Sequence, residues 1–273
     1  MPEARPGEYT IHRRPGGGRA VVLLNGCGLA AVAWDQVVSE LSGHAVIAID
    51  RPGRCGTTCT ELPHLRRETL HLAQTIADDA PVIVVAHSMA AFQAEALARL
   101  RPDSTAGIVL VDPSVEAQPG FGPLRRAAAV RIARLAATVL RVELIRRLIA
   151  EAVRAGMRRE THHPEVMADE SWRAGHETSQ ALAAAVAEFL AYGEQAVDLA
   201  RLRHEQRTPV IAPTILLEGQ DGYSRQQRES LRGAFARLEV RRLPASRHLM
   251  MLDAPEEIAR AVFDLDREIE ARL

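Results

Sequence analysis

Short apolar runs rich in Val and Ile recur at residues 20–24, 45–49, 82–85 and 107–111, each bounded by Gly, Pro, Asn or Asp. Runs of this length without polar alternation predict strands buried on both faces. Between them, residues 34–41, 68–77 and 90–100 carry apolar side chains at helical spacing. The alternation predicts parallel strands joined by crossover helices: an α/β fold with a mostly parallel open sheet and helices on both faces. In such sheets ligands sit beyond the carboxyl ends of the strands.

From residue 123 to 202 the pattern changes to Ala-, Leu- and Arg-rich sequence of helical periodicity without a strand signal. Strand signals return at 214–217 and 239–243, and the segment 255–273 opens with Pro255, Glu256 and Glu257, as a helix N-terminus prefers. The chain therefore divides into a body, residues 1–114 and 208–273, and a helical insertion, residues 115–207. It contains no internal repeat and no low-complexity linker.

Composition removes several function classes. A formal charge of -1 supplies no overall field to recruit nucleic acid, which is not expected as a partner. All 34 basic residues are Arg, and the absence of Lys excludes a Schiff-base lysine, a P-loop lysine and a pyridoxal-phosphate site. Cys27, Cys55 and Cys59 show neither disulfide nor zinc-knuckle spacing, which suits a reducing interior. Residues 1–10 carry Pro2, Pro6 and charges where a signal peptide needs an apolar run, and no stretch is long and apolar enough to span a bilayer. The expectation is a cytoplasmic protein without stable membrane insertion, acting on a small molecule, with homodimer formation left open.

The candidate chemistry starts at Val82-Ile83-Val84-Val85-Ala86-His87-Ser88-Met89-Ala90-Ala91, an apolar strand, a Ser in a tight turn and a helix start. Such an elbow lifts the Ser88 hydroxyl above the sheet, while the backbone N–H of Met89 points to the same place and can hold an oxyanion. Here the sequence resembles the α/β-hydrolase family, whose elbow often reads Gly-His-Ser-Met-Gly. Ala86 and Ala90 stand in place of its glycines and add the smallest side chain the close strand–helix approach can take.

Further motifs follow that family's order. Asn25-Gly26-Cys27-Gly28, with Trp34 shortly after, resembles its first oxyanion loop, and the match makes the Cys27 N–H the second donor. Asn25, Gly26 and His87 are expected on the substrate side, Asn25 bracing the loop rather than reacting and His87 serving in packing or pocket lining. Asp50-Arg51-Pro52-Gly53-Arg54-Cys55-Gly56 resembles a structural loop in which Asp50 bonds local amides. His248, in Ser246-Arg247-His248-Leu249 ahead of Pro255-Glu256, resembles the family's base, an imidazole that accepts the Ser proton and returns it near neutral pH. His162 and His163, with Glu165 nearby, lack the i, i+4 spacing of a zinc motif, and no metal is expected. For the acid, Asp112 at a strand tip is favoured over Asp221, because Gly222 occupies the usual family position; both obey the order Ser, acid, His.

The resemblance implies hydrolysis through an acyl-enzyme with no cofactor, carboxylic esters being the first choice and thioester, amide or carbon–carbon cleavage remaining open. It also implies that residues 115–207 form a helical cap. Residues 123–159 hold ten Arg against Glu143 and Glu151, interleaved with Leu, Val and Ile. Such a segment can lie on an anionic membrane; the preferred reading is a lid whose apolar face covers the site and whose Arg face is solvated. The rival from another class is a catalytically silent ligand-binding protein that kept the fold.

Overall fold

The computed structural model describes residues 8–54, 57, 59, 61–116 and 126–272. Residues 1–7, Cys55, Gly56, Pro123, Arg125 and Leu273, on which parts of the sequence reading fall, lie outside the described residues. Among the described residues seven strands form one sheet: β1 (Thr10–Arg14), β2 (Gly17–Leu24), β3 (His44–Asp50), β4 (Val82–His87), β5 (Thr105–Val111), β6 (Thr214–Glu218) and β7 (Leu238–Arg242). Their order is β1-β3-β2-β4-β5-β6-β7, with β1 antiparallel to β3 and every other pair parallel. The mostly parallel sheet is as expected.

The helices in chain order are α1 (Asp35–Glu40), α2 (Leu65–Thr75), α3 (Ala90–Leu100), α4 (Arg126–Val139), α5 (Glu143–Met157), α6 (Glu170–His176), α7 (Ser179–Glu205), α8 (Arg225–Ala234), α9 (Met250–Asp253) and α10 (Pro255–Glu270). Alternating strand side chains divide the core in two. Val21, Leu23, Ile83, Val85, Val109, Val111, Ile215 and Leu217 pack with Trp34, α9 and α10. Val22, Leu24, Val84, Ala86, Ile108, Leu110 and Leu216 pack on the other face with α2, α3 and α8. Burial on both faces is why these strands read as unbroken apolar runs, each fully buried Leu or Ile contributing about 1.5–3 kcal/mol. The methyls of Ala86 and Ala90 are wholly buried in the second cluster, so the elbow accommodates them.

Besides the short α9, two elements had no counterpart in the hydrophobic pattern. β1, Thr-Ile-His-Arg-Arg, is an exposed, charged edge strand, the composition that protects a sheet edge from further pairing. α8 is polar, but its Ser224–Gln227 capping box is readable at its start.

Helices α4 to α7 lie in the chain between β5 and β6, where the insertion is expected. The preferred orientation of its basic segment fails on α5. Leu144 and Leu148 are 69% and 65% exposed. Arg146 instead donates to the Glu177 carbonyl at 2.8 Å and Arg154 to the Glu177 carboxylate at 2.8 Å. The small Ala150 makes α5's buried contact, with Leu140 and Leu182, and the inward Arg146 hydrogen bond and Arg154 ion pair hold the apolar face outward.

Candidate active site

The loops at the carboxyl ends of β2, β4 and β5 and the loop after β7 meet at one place. Ser88, between β4 and α3, has φ of 51°, and Asp112, after β5, has φ of 40°. Non-glycine residues in this region are strained by about 1–3 kcal/mol and persist only when the surroundings fix them. Here the backbone does so: Ser88 N–H donates to the Val111 carbonyl (3.1 Å), the Ser88 carbonyl accepts from Ala91 and Ser114 N–H (3.1 and 3.0 Å), and Asp112 N–H donates to the Leu217 carbonyl (3.0 Å).

His248 bridges the two. Its Nδ1 lies 2.6 Å from Asp112 Oδ2 and its Nε2 lies 3.1 Å from Ser88 Oγ. A carboxylate only accepts, so Nδ1 carries the proton and the Nε2 lone pair faces the serine hydroxyl. The other Asp112 oxygen accepts from Gly219 N–H (3.4 Å) and the Tyr223 hydroxyl (3.3 Å). Burial, and then the Asp112 carboxylate, push the Tyr223 phenol well up, keeping it a donor. Asp221, the alternative acid, is exposed in the turn after β6 and makes no hydrogen bond to His248. The Asp253 carboxylate braces the His248 loop by accepting from Arg247 N–H, His162 N–H and the Thr161 hydroxyl (2.8, 2.8 and 2.5 Å).

Asn25 and His87, expected on the substrate side, have buried side chains bonded within the protein. Asn25 is buried: its amide nitrogen donates to the Ile49 carbonyl (3.0 Å) and Asp50 (3.3 Å), and its oxygen accepts from the Trp34 indole (2.7 Å). His87 is buried too, and its Nε2–H donates to the His248 backbone carbonyl at 2.9 Å. Burial, then the neighbouring His248, hold its pKa well below the usual imidazole value. A neutral His87, with ring centroids 4.7 Å apart, adds no charge against an imidazolium forming on His248. Gly26 fits because a Cβ there would come within 2.5 Å of His87 Nδ1 and 3.1 Å of Ser88 Cβ.

Four consecutive amides of the loop after β2 are engaged. Gly28 N–H donates to Glu188 Oε2 (2.6 Å), Leu29 to the Gly26 carbonyl (3.4 Å), Ala30 to His176 Nε2 (3.0 Å) and Ala31 to Asp50 Oδ1 (2.7 Å). Among the described residues the Asn25, Gly26, Cys27 and Met89 N–H groups have no acceptor. The Cys27 thiol is no nucleophile, being pushed up to about 12 by burial and then by Glu188. Behind the loop, the Arg51 guanidinium donates to the carbonyls of Asn25 (2.7 Å) and Gly26 (3.3 Å). Glu188 and His176, from α7 and α6, and Tyr223 escaped the sequence reading. A lone Glu in the Ala-rich run of α7 was the available signal for the first.

His163 pairs with Glu165 at 3.0 Å, and neither His162 nor His163 belongs to a ligand cluster. The described residues that could meet at a metal are His64, Glu194 and Asp198, where Arg126 and Arg201 already bind the two carboxylates.

His176 makes the loop's bracing sensitive to acid. Its Nδ1–H donates to the Trp172 carbonyl (2.8 Å), so Nε2 accepts from Ala30 as the neutral ring. Burial, then Arg54, lower its pKa from 6.5 to about 4. The unfolded chain thus binds the proton more readily, and this contribution, full above about pH 6.5, is lost as pH falls to 4. Denaturant titrations at pH 7 and pH 4 should show the wild type losing more stability than His176→Gln, by on the order of 3 kcal/mol. Equal losses in the two proteins would reject the assignment.

Comparison with known proteins agrees with this architecture. The sequence model of the alpha/beta hydrolase family matches residues 21–261. A solved structure from Pseudomonas aeruginosa, described as a proposed epoxide hydrolase, is similar with a TM-score of 0.73 and 18% identity over 96% of this chain and 93% of that one. An alpha/beta hydrolase fold protein from Burkholderia ambifaria gives 0.71 and 19%, covering 94% and 93%. A thermophilic esterase from Thermogutta terrifontis gives 0.70 and 21%, covering 96% and 93%. No curated protein matches the chain. At these identities the structural likeness speaks for the fold alone.

Proposed function

The chain belongs to the alpha/beta hydrolase family, and from that premise we propose that it is a serine hydrolase acting on carboxylic esters of small apolar or amphipathic substrates. The single observation that carries the reading is the line Asp112 Oδ2, His248 Nδ1 at 2.6 Å, His248 Nε2, Ser88 Oγ at 3.1 Å. In this cycle Ser88 Oγ bonds to the acyl carbon as its proton passes to His248 Nε2. The ester C–O bond breaks, the alkoxide takes that proton and leaves, and Asp112 holds the imidazolium. Water then attacks the acyl-enzyme, giving its proton to His248, which returns it to Ser88. The Cys27 and Met89 N–H groups, both without a described acceptor, are the donors for the oxyanion. Residues 115–207 act as the cap. Free thiols at Cys27 and Cys59 suit a cytoplasmic setting.

The Pseudomonas aeruginosa likeness raises epoxide opening as a second reading. Epoxide hydrolases of this family resemble the present elbow but carry Asp where this chain has Ser88, and a hydroxyl nucleophile would leave an ether that this site has no means to hydrolyse. The ester reading is tested by mixing enzyme with excess p-nitrophenyl acetate. A burst of p-nitrophenolate equal to the enzyme concentration, with acetyl on the Ser88 peptide, is expected when deacylation is the slow step. Acetyl on another peptide would reject Ser88. Binding of the ester without release of p-nitrophenol would favour the silent protein.

A further inference from the structure

α5 is an amphipathic helix turned outward. Its inner side is Ala150, flanked by Arg146 and Arg154, which reach the Glu177 carbonyl and carboxylate. Its outer side is a stripe of Leu144, Leu148, Ala152 and Ala155 at the i, i+4, i+8 and i+11 positions of one face, all exposed. Val142 in the preceding turn and Leu135 on the exposed side of α4 are 52% and 65% exposed. Large exposed aliphatics on two successive helices mark a surface that meets something apolar.

The charge around them selects what that is. Residues 126–159 hold nine Arg against two Glu, and both carboxylates are already bound, Glu143 by Arg146 and Arg147 and Glu151 by Arg154 and Arg158. Arg131, Arg134, Arg141 and Arg159 are exposed and make no ion pair among the described residues. We propose that α4 and α5 form a docking face for an anionic lipid surface, Leu144 and Leu148 entering the headgroup boundary while the arginines meet the phosphates. No helix among the described residues is long and apolar enough to cross a membrane, so the contact is peripheral. A two-fold pairing of copies through the same face is disfavoured, because it would set these arginines against their own equivalents. The inference stands on surface geometry and does not depend on the reaction at Ser88.

The test is co-sedimentation of the full chain with vesicles of phosphatidylcholine alone and of equal parts phosphatidylcholine and phosphatidylglycerol, with circular dichroism as a check on folding. Binding to the anionic vesicles should exceed binding to the neutral ones by about tenfold or more and weaken as salt is raised. Arg131→Ser with Arg134→Ser should lose about fivefold per Arg that meets the surface. Leu144→Glu with Leu148→Glu, at exposed positions that leave the core untouched, should abolish binding to both vesicles. Equal binding to neutral and anionic vesicles overturns the charge selection. Absence of binding overturns the proposal, and if the wild type is then a dimer that Leu144→Glu with Leu148→Glu splits, the face belongs to a second copy.

Discussion

Replacing Ser88 by Ala should lower kcat for ester hydrolysis by about 10⁴–10⁶-fold and abolish labelling by a fluorophosphonate probe, with the fold intact. The loss is large because every covalent step passes through Oγ. The fold survives because the strained turn is held by backbone bonds from Ser88, Ala91 and Ser114. The Ser88 hydroxyl touches only His248 Nε2 (3.1 Å) and Ser114 Oγ (3.3 Å) among the described residues. Ala at the same positive φ carries nearly the strain that Ser does. Among the described residues the neighbouring Ser114 hydroxyl, 3.3 Å away, is the alternative nucleophile hydrogen-bonded to Ser88, so the measurement is paired with Ser114→Ala, expected to keep the labelling. Undiminished turnover in the Ser88 variant, or labelling that follows Ser114, would sink the nucleophile assignment.

Much of this arrangement is legible in the chain because local signals carry it. The apolar runs at 20–24, 82–85 and 107–111 fall within β2, β4 and β5, since two-sided burial leaves an unmistakable composition. The order of the motifs around Ser88 and His248 is likewise local, and the fold brings the two to 3.1 Å across 160 positions. What is not legible depends on partners far away in sequence. Nothing near Gly28 foretells that its N–H meets Glu188, because that contact exists only once α7 is laid over the loop. The direction in which α5 turns its apolar face is equally invisible. Periodicity fixes that a stripe exists, while Ala150 against Leu182 and the two arginines at Glu177 decide that it points outward. Asn25, read from the sequence as a loop brace, and His87, read as packing or pocket lining, put their side chains into the hydrogen bonds that hold the Asp50 loop and the His248 backbone.

The choice between Asp112 and Asp221 is the site question that sequence leaves most divided, and the geometry gives it a sharp expected result. Asp112→Asn should lower kcat by about 10⁴-fold, whereas Asp221→Asn should change it less than about threefold. The loss depends on which way the new amide faces. In the wild type Asp112 Oδ1 accepts from Gly219 N–H (3.4 Å) and lies 3.3 Å from the Tyr223 hydroxyl, whose shorter bond, at 2.7 Å, goes to the Pro113 carbonyl. An Asn at 112 keeps the Gly219 bond by placing its carbonyl oxygen there, which turns its NH₂ toward His248 Nδ1, where Asp112 Oδ2 stands at 2.6 Å. That nitrogen must then accept, so the proton moves to Nε2 and the lone pair facing Ser88 is lost. The base is disabled in place, and Asp112 also no longer stabilises the imidazolium of each transfer. Asp221, exposed in its turn, touches none of these groups. Measured kcat values and fluorophosphonate labelling rates for both variants decide it, with melting curves to establish that each is folded. A larger loss in Asp221→Asn than in Asp112→Asn would assign the acid to the other carboxylate and require the loop after β6 to swing in when substrate binds.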